Sequence, residues 1–72
     1  MSKELATLIE EASKKVDSMK ATVSHGKFLL SRSDLKNPKD DVLMGIKNVV
    51  NLLKVEGEGL IKISEEIENK FF

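Results

Sequence analysis

The chain has no cysteine, tryptophan or tyrosine, a single proline and a single histidine. Without cysteine there is no disulfide to brace a small fold and no thiolate to hold zinc or an iron–sulfur cluster. Without tryptophan or tyrosine, only Phe28, Phe71 and Phe72 remain to stack on nucleic-acid bases. There is no excess of either charge: 12 basic and 12 acidic residues cancel. This argues against a general binder of nucleic acid or anionic membrane, which needs a net basic surface. Eleven of the twelve basic residues are lysine, and Arg32 is the one arginine, so the planar fork that reads phosphate and guanine is nearly absent. No apolar run approaches the ~20 residues that a membrane-spanning helix needs. Met1-Ser2-Lys3-Glu4-Leu5 lacks the apolar core of a secretion signal. The expected location is cytoplasmic, or intracellular viral.

What is present is heptad order. At 72 residues the chain is one small domain with a marginal core, which small scaffolds commonly reinforce with a partner chain. Leu5, Ile9, Ala12, Val16, Met19, Val23, Gly26 and Leu30 alternate by four and three. That is the signature of a helix with one narrow apolar seam. The pattern stops at Ser31–Pro38 and restarts as Leu43, Ile46, Val50, Leu53, Gly57, Leu60, Ser64, Ile67 and Phe71. Asn37 is a good N-cap, Pro38 suits a first helical position, and Asp40 and Asp41 favour the first turn. The expected fold is all-α. Helix 1 spans about 3–31, a turn 32–37 and helix 2 about 38–70, as an antiparallel two-helix hairpin dimerising into a four-helix bundle. Gly57 and Gly59 are a candidate kink or break, because two interior glycines cost roughly 2 kcal/mol against alanine.

A bend near Asp34 and Leu35 makes facing residue numbers sum to about 69. Ile9 then meets Leu60, Val16 meets Leu53, Met19 meets Val50 and Val23 meets Ile46, with Ala12 against Gly57. One flank of this seam is still apolar: Leu8, Leu29, Val42, Val49 and Ile63. These five, with Phe28 as a candidate anchor, are the expected partner interface, since contiguous exposed apolar surface marks association. The other flank carries Lys20, Lys27, Lys47 and Lys54, the candidate nucleic-acid contact. Charge is also polarised along the rod. Residues 17–54 hold seven basic and four acidic groups, +3, and the remainder five basic and eight acidic, −3, so the expected homodimer is antiparallel, bend against open end.

Chemistry is sparse. His25 falls opposite the seam and has no second histidine or cysteine to share a metal. The carboxylates at Glu10-Glu11 and Glu65-Glu66-Glu68 read as solvated faces, because acid–base work needs a pocket that shifts their pKa values. No phosphate loop, nucleophile–base pair or cofactor motif is present. The expected role is non-enzymatic, with no cofactor and no metal: a small adaptor, chaperone-like cofactor or inhibitor that binds protein, itself included, through an apolar helix face. The alternatives are a dimeric RNA- or DNA-binding hairpin using the lysine band, and a structural element of a larger assembly.

Overall fold

A computed structural model describes residues 4–32, 37 and 39–72. Two helices account for almost all of them: α1, Leu5–Ser31, and α2, Asp40–Phe71. They fold back on each other as an antiparallel hairpin 51 Å long and 17 by 15 Å across. The heptad pattern is therefore expressed as helix throughout, with no strand among the described residues.

The helix ends differ in detail from the sequence reading. The N-cap of α1 is Glu4, in extended conformation and without a side-chain cap bond. Lys3, the expected first helical residue, lies outside the described residues. The N-cap of α2 is the extended Lys39, two residues after Asn37. Pro38, Asp34 and Leu35, on which the expected bend and restart rested, also lie outside the described residues. Asp40 and Asp41 do occupy the first turn of α2, where carboxylates favour the positive end of the helix dipole, and Lys70 sits in its last turn. The Lys70 ammonium pairs there with Glu66 at 3.1 Å, one turn back.

Helix α2 runs unbroken through Gly57 and Gly59. The two glycines are not equivalent. A Cβ at Gly57 would meet nothing within 4 Å, whereas one at Gly59 would lie 2.7 Å from Lys15 Cε. Gly57 is thus not the small residue packed on Ala12 that the sequence suggested. Close approach occurs at three other glycines: Gly59 under the Lys15 stem, Gly45 under Leu29 and Gly26 under Val49.

Those contacts fix a different register from the expected one. Lys15 faces Gly59, Leu29 faces Gly45 and Ser18 faces Glu56, so the numbers sum to 74, and Gly26 faces Val49, at 75. The hairpin centre thus lies near residue 37, and the expected sum of 69 is corrected by about five residues. The physical reason is side-chain volume. In the observed register glycines lie beneath Leu29, Lys15 and Val49, leaving room for those side chains where a Cβ would crowd them. A sum of 69 would place Ser24 over Gly45 and Glu10 over Gly59 instead.

The seam is also rotated by one column. Leu8 is fully buried and Val49 is 8% exposed, while Leu29, Val42 and Ile63 are half-buried. The five residues expected to form an exposed patch therefore lie along the hairpin's own interface. Conversely Ile9, Val16, Val23, Leu30, Leu43 and Val50, expected inside, are exposed. Ala12, Met19, Ile46, Leu53, Leu60 and Ile67 are half-buried at the boundary shared by both stripes.

Gly57→Ala should raise the stability of the hairpin by about 1 kcal/mol, the usual helix-interior difference, because nothing opposes the new methyl. This is a rise of roughly 4–8 °C in melting temperature by far-ultraviolet circular dichroism. Gly45→Ala should gain less or lose stability, since Leu29 Cδ1 lies 2.9 Å from the new Cβ. Equal gains at both positions would show that Leu29 does not seat on Gly45.

Candidate protein-binding face

Three groups of side chains hold the chemistry of the hairpin, and each is placed by heptad geometry. The first is inside the seam. Glu56 is only 5% exposed and Thr22, which faces it, is 7% exposed. The Ser18 hydroxyl donates to Glu56 Oε2, and Thr22 Oγ1 lies 2.8 Å from Glu56 Oε1. Thr22 Oγ1 is also 3.0 Å from the Ser18 carbonyl oxygen. A hydroxyl has one proton, so Thr22 serves one of these two acceptors at a time. No buried side-chain polar atom among the described residues lacks a partner. This satisfies the requirement that a carboxylate taken out of water be hydrogen-bonded.

The sequence reading missed this cluster, although the signal was there. Glu56 shares the seven-residue column of Val42, Val49 and Ile63, and Thr22 that of Leu8 and Leu29. Ser18, Thr22 and Glu56 are all mid-helix. Mid-helix backbone N–H groups are engaged in the helix ladder, leaving no backbone donors to stabilise a developing oxyanion.

The second group is at the bend. Phe28 is exposed, with the Arg32 guanidinium carbon 5.5 Å from its ring centroid. An exposed cation–π contact of this kind is worth about 0.5–1 kcal/mol. Phe28, Leu29, Arg32, Asn37, Lys39, Asp41 and Val42 border a hollow of about 580 Å³. His25 is exposed on the same flank, beside Thr22, Val49 and Leu52.

The third group is the open apolar face. Val16, Met19 and Val23 of α1 and Leu53 and Leu60 of α2 line a groove of about 550 Å³, with Lys20, Ser24 and Lys27 on its α1 rim. By helical spacing the stripe continues to Leu5, Ile9 and Leu30 on α1 and to Leu43, Ile46, Val50, Ile67 and Phe71 on α2. Lys47 and Lys54 are exposed and lie four residues past Leu43 and Val50, on the outer edge of the same face. The structure thus brings Lys20 and Lys27 onto the rim of an apolar groove, helical spacing sets Lys47 and Lys54 at the outer edge of the same face, and Phe28 lies on the opposite flank. No group of three or more histidine, aspartate or glutamate residues among those described is placed to hold a metal ion. Nor is any helix among them long and apolar enough to cross a membrane. No protein-family model matches the chain, and no curated protein or solved structure matches it either.

Thr22→Val should cost about 1–3 kcal/mol in chemical denaturation, because it removes a donor from a buried carboxylate. Glu56→Leu should cost less than Thr22→Val, because Thr22 Oγ1 keeps the Ser18 carbonyl as an acceptor. In the Glu56→Leu background the Thr22→Val cost should largely disappear, a coupling of about 0.5–3 kcal/mol. Additive costs would mean that the two side chains do not act as a pair.

Proposed function

We propose that the chain is a non-enzymatic protein-binding module, an adaptor, chaperone-like cofactor or inhibitor, that acts through the open apolar face. The observation that carries this reading is the placement of Ile9, Val16, Val23, Leu43 and Val50 outside the hairpin, along one side. Exposed apolar stripes of this length on a small protein mark an association surface. The groove between α1 and α2 suits one occupant, an amphipathic helical surface whose apolar ridge completes a bundle. Lys20, Lys27, Lys47 and Lys54 on the rims select acidic residues beside that ridge. Each large aliphatic side chain fully covered on binding contributes about 1.5–3 kcal/mol, so a few anchors suffice before the cost of association is deducted.

The test compares wild type with Val16→Asp/Val23→Asp in affinity capture from the native cell, followed by reconstitution of the recovered partner with purified chain. The partner should bind wild type and be lost with the double variant, while both chains keep the same helicity. Equal binding by the two chains would remove the face from the interaction.

A second reading is nucleic-acid binding, favoured by one feature: all four lysines are exposed and share a face. Its signature is a complex that weakens steeply with salt and is lost on Lys20→Glu/Lys47→Glu. The protein-binding reading expects no retention of mixed nucleic acid at low salt.

A further inference from the structure

We infer that the occupant of the open face, when no other partner is present, is a second copy of the same chain laid antiparallel, bend against open end. This rests on the protein-binding reading above and names its partner.

The seam itself supplies the first argument. Inside the hairpin lie a carboxylate, a threonine hydroxyl and a lysine stem, at Glu56, Thr22 and Lys15. Outside lies the more uniformly apolar stripe of Leu5, Ile9, Val16, Val23 and Leu30 with Leu43 and Val50. A hairpin folding alone would bury the second stripe in preference to the first, because apolar burial is the dominant favourable term. The observed choice is the economical one when both stripes are covered, one within the chain and one between chains.

Charge supplies the second. The bend half, residues 17–54, carries +3 and the remainder −3. An antiparallel pair sets each positive end on a negative one, whereas a parallel pair sets like ends together. Lys20, Lys27, Lys47 and Lys54 then lie toward the end of the partner copy that carries Glu10, Glu58, Glu65 and Glu68.

Area supplies the third. A face 51 by 17 Å is a footprint of about 870 Å². Stable, standard-size interfaces bury about 800 Å² per partner. The hairpin thus offers enough surface on this one side for a specific dimer, with no further element required.

Sedimentation equilibrium and pulsed electron–electron resonance test the proposal together. The native chain has no cysteine, so Ser31→Cys takes a single spin label next to the bend. The expected result is a dimer whose label–label distance approaches the 51 Å length of the hairpin. A dimer with labels about one hairpin width apart, near 17 Å, overturns the antiparallel arrangement. Val16→Asp/Val23→Asp should raise the dimer dissociation constant by more than about tenfold. Lys20→Glu/Lys27→Glu, on an exposed rim where folding is not at stake, should weaken the dimer and reduce its salt sensitivity. A dimer indifferent to both pairs of substitutions overturns the choice of face. A wild-type chain that stays monomeric, yet loses a reconstituted partner on Val16→Asp/Val23→Asp, overturns self-pairing and leaves the protein-binding reading standing.

Discussion

The seating of three side chains on glycines of the facing helix is the constraint on which the rest of this molecule depends. Gly26, Gly45 and Gly59 accept Val49, Leu29 and Lys15 at distances where a Cβ would crowd the incoming side chain. Once those knobs are seated, the register is set. Register in turn determines that Glu56 falls between Ser18 and Thr22. A slip of one residue along either helix would leave the carboxylate buried without its donors, which is expensive enough to disfavour alternatives. Small residues give the hairpin its close fit, and the buried acid makes that fit specific.

The arrangement leaves the hairpin with little fully buried apolar side chain of its own. Among the described residues only Leu8 and Val49 are large hydrophobic side chains in the buried class. Each is worth about 1.5–3 kcal/mol. Ordering the backbone alone costs about 1–2 kcal/mol per residue. Helix hydrogen bonds, half-buried side chains and local pairs such as Lys70 with Glu66 have to carry much of the balance. A fold of this kind gains from covering its second apolar stripe, so under the proposed reading stability and binding would be linked through the same residues. Val16, Val23 and Val50 are exposed in the hairpin and would contribute most in the proposed bundle.

The lysines illustrate how position changes the meaning of a charge. In the linear sequence Lys20, Lys27, Lys47 and Lys54 form a basic band without aromatic stacking partners. In three dimensions Lys20 and Lys27 border an apolar groove beside Val16, Met19 and Val23, and Lys47 and Lys54 lie at the outer edge of the same face. Charges on a greasy rim steer and orient a partner more than they hold it, because exposed pairs are individually weak and screened by salt. Under the proposed reading, the specificity they would confer is one of end and direction.

The sequence by itself determined that there are two long helices, roughly where they run, and that each carries more apolar surface than a two-helix contact can hide. These follow from local periodicity: a three–four alternation over many turns is satisfied only by a helix, and Ser31 and Pro38 mark where it lapses. Which side of each helix faces the other was decided only by tertiary structure. Two stripes, one through Ile9, Val16 and Val23 and one through Leu8, Lys15 and Thr22, share Ala12, Met19 and Gly26 and differ by a single column. Hydrophobic count favours the first. Packing chose the second, because glycines lie opposite its large side chains and a pair of hydroxyls opposite its one carboxylate. Those are pairwise facts about residues 16 to 44 positions apart, and no periodicity within one helix contains them.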